Sequence, residues 1–331
     1  MNIHKYLFLL CTFTLNLCAQ ETKHKTYLHF EGKPDAKHIV FLSGDEEYRS
    51  EEAMPMLAQM MNRHHGFECS VLFSLDDNGI VKPDLQTAVS NPEIMDKADM
   101  LVIFLRFRKW NDAAMQKFED AYLRGVPIIA LRTSTHSFLH DKGTPWHKYS
   151  SKSEIENWEK GFGAKVLGEW WGFHHGKHKS EGNQSVIEPS AAQHEILKEV
   201  QPFFSKGDVY RANPPEDATI LLRGAVTKTL KKGSPFVEKK NNPMQPLAWT
   251  RVVKNEKGTT NKVLMCMTGA AIDLKEEGLR RLIANSIFWG FDLKVPEKTN
   301  VKIPETYKPT MYGFGTYQKN KRPVDFIPTI K

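Results

Sequence analysis

The sequence predicts an α/β protein built on a parallel sheet with helices on both faces. Two observations carry that prediction. Short apolar segments at residues 38–43 (HIVFLS), 69–73 (CSVLF), 100–104 (MLVIF) and 126–131 (VPIIAL) recur through the first half, with helical patterns at 50–64 and 113–124 between them. Strands that are apolar on both sides need cover on both faces, as in a parallel sheet. The second observation is size: 331 residues, 40% hydrophobic and 26% charged, supply core enough for one large domain or two small ones.

The elements follow in order. A helix is predicted over 50–64, where Ser50 can cap it and Glu51 and Glu52 suit its N-terminus. Met54, Leu57 and Met61 share one face, and Pro55 is tolerated in the first turns. A second helix over 113–124 is closed by Gly125. The second half is less regular. It reads as a short helix over 153–158, a strand-like run over 165–173, a polar loop over 176–182 and strands over 219–223, 247–253 and 262–267. A helix over 276–289 carries a packing stripe of Leu279, Leu282, Ile283, Ser286 and Ile287. Prolines at 304, 309, 323 and 328 mark residues 297–331 as an extended arm, in which Tyr307, Met311, Tyr312, Phe314 and Phe326 demand burial.

Residues 1–20 have the layout of a secretory signal peptide. Lys5 precedes an apolar run over 6–17, and Cys18, Ala19 and Gln20 precede a charged stretch. Cleavage is expected near Ala19 or Gln20, with export to the periplasm or beyond. A lipoprotein box at Cys18 is disfavoured by the bulky Leu17. The expected organisation is thus a leader over 1–20, a domain over 21–296 and the arm. Cleavage would leave only Cys69 and Cys266, too few for a disulfide framework. Beyond the leader no run of about 18 apolar residues occurs, so no membrane span is predicted. The formal charge of +7 comes from scattered lysines without an aromatic-interleaved stripe, which argues against nucleic acid.

In open α/β sheets ligands bind beyond the carboxyl ends of the strands, so the segments directly after them hold the candidate site. The first is Gly44-Asp45-Glu46-Glu47-Tyr48-Arg49, where Asp45 and Glu46 can bind hydroxyls or hold Arg49 in place. The second is Arg106-Phe107-Arg108-Lys109-Trp110, two guanidiniums and an indole suited to a sugar or carboxylate. The third, Arg132-Thr133-Ser134-Thr135-His136, offers hydroxyls and an acid/base imidazole, but G-x-S-x-G and cysteine are both missing, so no nucleophile is assigned. A fourth lies further on, at Trp170-Trp171-Gly172-Phe173-His174-His175-Gly176-Lys177-His178. There His174 and His178 can bracket an anionic ligand or share a metal such as zinc, while His175 joins the substrate binders. No C-x-x-C or H-E-x-x-H accompanies them, so the reading assigns no cofactor and keeps zinc as the alternative. Asp273 follows a late strand and either joins the cleft or caps a helix.

These clusters in this order resemble the trehalose-utilisation (ThuA-like) family of the class I glutamine amidotransferase-like superfamily. The resemblance spans about residues 38–296. It is most specific at 44–49, 130–138, 170–178 and Gly278-Leu279-Arg280-Arg281-Leu282-Ile283-Ala284-Asn285. It implies a flavodoxin-like three-layer α/β/α sandwich with a mostly parallel sheet. It further implies sugar catabolism alongside oxidoreductases that handle 3-keto-sugars. Two departures matter. Where amidotransferases carry a cysteine elbow this chain has residues 132–136, so glutaminase chemistry is not expected, and Gly269-Ala270-Ala271 replaces a Gly-His-Pro run.

The resulting expectation is an exported protein of carbohydrate catabolism, a hydrolase, lyase or isomerase acting on a sugar or keto-sugar. His136 and one of His174 or His178 would exchange protons, Arg106, Arg108, Trp110, Arg132 and Thr133 would hold the saccharide, and the oligomeric state stays open. The alternatives are a non-catalytic sugar-binding or scaffold protein, and a metal-dependent hydrolase using His174 and His178.

Overall fold

Five neighbouring strands run parallel through the middle of the molecule, seen here in a computed structural model that describes residues 26–329. The expected leader and its cleavage point lie outside these residues. In chain order the elements are β1 (Leu28–Phe30), β2 (His38–Gly44), α1 (Ser50–His65), β3 (Glu68–Phe73), β4 (Met100–Leu105), α2 (Asp112–Leu123) and β5 (Ile128–Leu131). They continue with β6 (Asn183–Ile187), β7 (Phe204–Ser205), β8 (Thr219–Val226), β9 (Gln245–Lys254), β10 (Thr260–Cys266) and α3 (Glu277–Gly290). All ten strands form one sheet in the order β1-β3-β2-β4-β5-β10-β9-β8-β6-β7.

The expected α/β class is what forms, but the sheet is mixed rather than mostly parallel. The pairings β3–β2, β2–β4, β4–β5 and β5–β10 are parallel. The other five are antiparallel: β1–β3, β10–β9, β9–β8, β8–β6 and β6–β7. The reason lies in the connections. Parallel neighbours need crossovers, supplied between β2 and β5 by α1, α2 and the segment between β3 and β4. β9 and β10 are joined by a short turn in which Gly258 adopts φ +81°, so they fold back as a hairpin.

Right-handed crossovers put α1 and α2 on opposite faces of the sheet. On one face Phe67, just after α1, packs against Phe288 of α3 (ring centroids 5.6 Å apart). On the other, Phe118 of α2 packs against Phe138 (4.9 Å) and Phe162 (5.2 Å). The helices predicted over 50–64, 113–124 and 276–289 form within a residue or so of their expected bounds. Met54, Leu57 and Met61 are fully buried.

Elsewhere the structure departs from expectation. Residues 153–158 form turns rather than a helix, and 165–173 is not a strand. A π-helical turn, Gly163–Leu167, occupies that place because side chains capture its carbonyls: Trp249 Nε1 donates to Leu167 O (2.8 Å) and Arg251 Nη1 to Lys165 O and Val166 O (both 3.1 Å). A Cβ at Gly163 would collide with the Thr135 carbonyl, so this turn can lie against the third loop only with glycine there. Along the arm, Tyr307, Tyr312 and Phe326 are buried as expected, whereas Met311 and Phe314 are 40% and 50% exposed. Cys69 and Cys266 are free and buried, and burial pushes the Cys266 thiol up to about 12. No helix among the described residues is long and apolar enough to cross a membrane.

Candidate functional site

Strand order fixes where the loops meet. From β2 the chain moves outward to β3, then crosses back over β2 to β4, so the order reverses between β2 and β4. A crevice opens at such a switch point, beyond the carboxyl ends of the strands. The loops after β2, β4 and β5 start there. Each holds a non-glycine residue in the left-handed region: Arg49 (φ +64°), Phe107 (+50°) and Arg132 (+45°). Such backbone is costly and persists only where the surroundings fix it. Here the loops fix one another: Phe107 N donates to His136 O (2.8 Å) and Arg108 N to Ser137 O (2.6 Å).

Segment 173–176 reaches the same place by pairing with 209–211, His175 N donating to Val209 O (2.9 Å) and Arg211 N to Phe173 O (3.0 Å). That pairing sets His174 over Asp208. The centre of the site is the ion pair of Arg132 and Asp208, both fully buried. Arg132 Nη2 donates to Asp208 Oδ1 (2.8 Å) and to the Tyr48 hydroxyl (2.9 Å), and Nη1 donates to Met267 O (2.9 Å). Its guanidinium carbon lies 4.5 Å from the Tyr48 ring centroid and 3.9 Å from that of Tyr210. Burial opposes the Arg132 charge, but Tyr210, Tyr48 and Asp208 outweigh it and hold its pKa above the usual value. Burial likewise works to raise Asp208, yet Arg132, His174 and His178 hold it below the ordinary carboxylate range.

Three histidines in the site have three different environments. His174 Nδ1 lies 2.6 Å from Asp208 Oδ2, and its side chain is 33% exposed. Its Nε2 meets no protein hydrogen-bond partner among the described residues. His178 lies between two carboxylates, Nδ1 3.2 Å from Asp208 Oδ1 and Nε2 2.9 Å from Glu47 Oε1; these bonds push its pKa up to about 9. His136 is buried between Phe107 (4.8 Å) and Trp171 (5.2 Å). Burial, then Arg106 and Arg132, drive its pKa well below the usual value, so it stands as neutral imidazole. Trp171 also packs on His174 (5.5 Å) and so lies between the two rings.

Beneath these, Thr133 Oγ1 donates to Asp45 Oδ2 (2.5 Å) and Glu47 N to Asp45 Oδ1 (2.8 Å). Burial, reinforced by Glu46, still raises Asp45 to about 6. Glu46 pairs with Arg106 and with Arg108 Nη2 (2.9 Å). Arg106 is partly exposed, its guanidinium between the rings of Phe107 (4.6 Å) and Phe314 (4.8 Å).

Several predicted binders lie elsewhere. Arg49 is fully buried and faces the arm, donating to Gly313 O (2.9 Å) and Thr310 Oγ1 (3.1 Å). Arg108 is buried too, donating to Arg106 O (2.7 Å) and Pro83 O (3.0 Å); burial lowers its pKa to about 10 against the pull of Glu46. Trp110 packs edge-on against Phe138 (5.5 Å) and Phe118 (6.2 Å) in the core and offers no face to a sugar. The His175 ring turns away, Nε2 donating to Lys240 O (2.7 Å). Asp273 is buried behind the site, accepting from Ser205 Oγ (2.6 Å) and Lys206 N (2.8 Å), and this fastens the segment that carries Asp208.

Asp208, Tyr48, Tyr210 and Glu47 were not assigned roles from the sequence. The signal for Asp208 is weak: an acid following Gly207 in an irregular stretch, far from any predicted strand end. Ligand-type atoms of His174, His178 and Asp208 lie within 4.8 Å of one another, as a metal would need. Against a cation there, Arg132 already places a buried positive charge on the same carboxylate.

No family model matches the chain, and no curated protein matches it. Among solved structures it is similar to a protein described as ThuA-like from Bacteroides uniformis ATCC 8492, at 13% identity and TM-score 0.47, covering 77% of this chain and 91% of that one. Another described as ThuA-like, from Parabacteroides merdae ATCC 43184, matches at 11% identity and TM-score 0.47 over 84% and 97% of the two chains. An exo-beta-1,4-mannosidase from Opitutaceae bacterium strain TAV5 matches at 9% identity and TM-score 0.36, covering 80% of this chain and 37% of that one. The first two bear the family description that the sequence motifs resemble.

Proposed function

We propose that the protein is an exported ThuA-like enzyme of carbohydrate catabolism, on a flavodoxin-like core, that moves protons on a sugar or keto-sugar. One observation carries the reading: the bond from His174 Nδ1 to Asp208 Oδ2 (2.6 Å) leaves Nε2 on the exposed side without a protein partner. A carboxylate on Nδ1 fixes the tautomer and stabilises the imidazolium formed when Nε2 takes a proton, which is the arrangement a general base needs. His174 is the base in this reading. His136 supplies a neutral hydrogen bond, and His178, already held as imidazolium, supplies positive charge or a proton. Arg106 with Phe107 and Phe314 offers donors beside aromatic faces, a combination that suits a polyol. The chemistry as read calls for no cofactor, and sugar oxidoreductases would supply or consume the keto-sugar.

The test incubates wild type and His174→Gln with a panel of disaccharides and their 3-keto forms, products followed by NMR. Conversion by wild type and its loss in His174→Gln supports the proposal. Saccharide affinity without conversion would identify a binding protein instead. Turnover that needs stoichiometric zinc would move the assignment to the metal-dependent alternative.

A further inference from the structure

A second group of histidines and a carboxylate sits at the other end of the sheet, and nothing above uses it. β1 and β2 flank β3 on either side. Register brings the group together: His29 of β1 stands opposite Ser70, and His38 of β2 stands beside Glu68. Glu68 and Ser70 are two residues apart on β3 and so share a face. His29 Nε2 lies 4.0 Å and His38 Nε2 3.8 Å from the same oxygen, Glu68 Oε1. Metal–ligand bonds of about 2.0–2.2 Å place neighbouring donor atoms about 3.3 Å apart in a tetrahedron, so modest side-chain shifts would close the set.

The surroundings orient these rings as ligands. Ser70 Oγ lies 3.1 Å from His29 Nδ1, which turns Nε2 of that ring toward Glu68. A hydrogen bond on the far nitrogen is the usual support of a metal-binding histidine. His38 Nε2 faces Ser70 Oγ (2.9 Å) as well as Glu68, so a metal at this nitrogen would take the place of the serine hydroxyl. No arginine or lysine side chain pairs with the Glu68 carboxylate among the described residues. The three side chains open into a cavity of about 290 Å³, rimmed by Tyr27 and Glu93, with room for water as a fourth ligand.

We propose that His29, His38 and Glu68 form a divalent transition-metal site, of the two-imidazole, one-carboxylate kind that suits zinc, clipping the short edge strand β1 to β3 and β2. The site lies at the amino ends of the parallel strands, away from the loops that carry His174, and its expected effect is on the stability of that sheet edge.

Titration of the full chain with Zn2+ alone, followed by calorimetry and thermal melting, tests it, with Co2+ absorption reporting the coordination. In a His174→Gln/His178→Gln background, one equivalent is expected to bind and raise the melting temperature. His29→Ala and Glu68→Gln each remove a ligand and are expected to weaken binding about 100-fold or more, at or beyond the upper range for disturbing a ligand's supporting partners. Zinc-edge anomalous diffraction of wild-type crystals grown with Zn2+ gives a second readout. An ion between His29, His38 and Glu68 supports the site. Failure of wild type to bind, binding unaltered by His29→Ala, or an ion found only at His174 overturns it.

Discussion

One histidine–carboxylate cluster stands at each end of the parallel strands, and the two differ in what else touches the acid. At the carboxyl end Asp208 is fully buried against Arg132, with the Tyr48 and Tyr210 rings about the guanidinium. At the amino end the Glu68 side chain is 36% exposed, and its ion-pair partners among the described residues are His29 and His38. The same residue types therefore acquire different chemistry. A fixed buried cation holds a carboxylate ionised and lets it orient an imidazole for proton transfer, whereas its absence leaves donor atoms free to collect a metal. The neighbours decide, not the ligand set.

The comparison can be broken most decisively at His174. If it is the base, His174→Gln is expected to lower turnover of the true substrate about 100- to 10,000-fold with the fold intact by circular dichroism. A comparable loss from His136→Gln with His174→Gln active would reverse the assignment. Next in size is Asp208→Asn, which strands the Arg132 charge in the interior; chemical denaturation should show a loss of about 3–5 kcal/mol. Equal loss from Glu68→Gln would remove the contrast between the two ends.

Smaller effects concern pH. Neither oxygen of Glu51 meets a hydrogen-bond partner among the described residues, and burial raises its carboxyl to about 8. A raised acid costs nothing below its ordinary value of 4.5 and progressively more as pH climbs toward 8. Glu51→Gln should therefore melt higher than wild type at alkaline pH and little differently in acid. His178 has the same sign at higher pH: its bonds to Asp208 and Glu47 contribute in full below 6.5 and are lost as pH rises through about 9. His178→Gln should flatten the alkaline limb of the melting profile. Smallest of all, Trp171→Ala is expected to weaken saccharide binding about tenfold through lost aromatic contact, while Trp110→Phe, deep in the core, leaves affinity unchanged.

The parallel strands and three long helices were legible because each buries a local pattern: uninterrupted apolar runs, or a stripe at helical spacing such as Met54, Leu57 and Met61. What 153–173 does was not legible, because the side chains that capture its carbonyls, Trp249 and Arg251, come from β9, more than 80 residues away. The site divides in the same manner. The loops at 45–49, 106–110 and 132–136 could be placed from strand ends alone. Within them, nothing local told Arg106, open beside Phe314, from Arg108, enclosed by Pro83 and Glu46, or showed that Trp110 turns into the core.

The amino-acid sequence alone determined the α/β class, the strand ends where the candidate-site loops begin, and the residue types gathered there. Tertiary structure alone decided the direction of half the strands, the partnership of Asp208 with Arg132 and His174, and which imidazoles are neutral, charged or free. Apolar periodicity is a property of neighbours along the chain. Charge state and hydrogen bonding depend on burial and on groups brought close in space, and those exist only once the chain has folded.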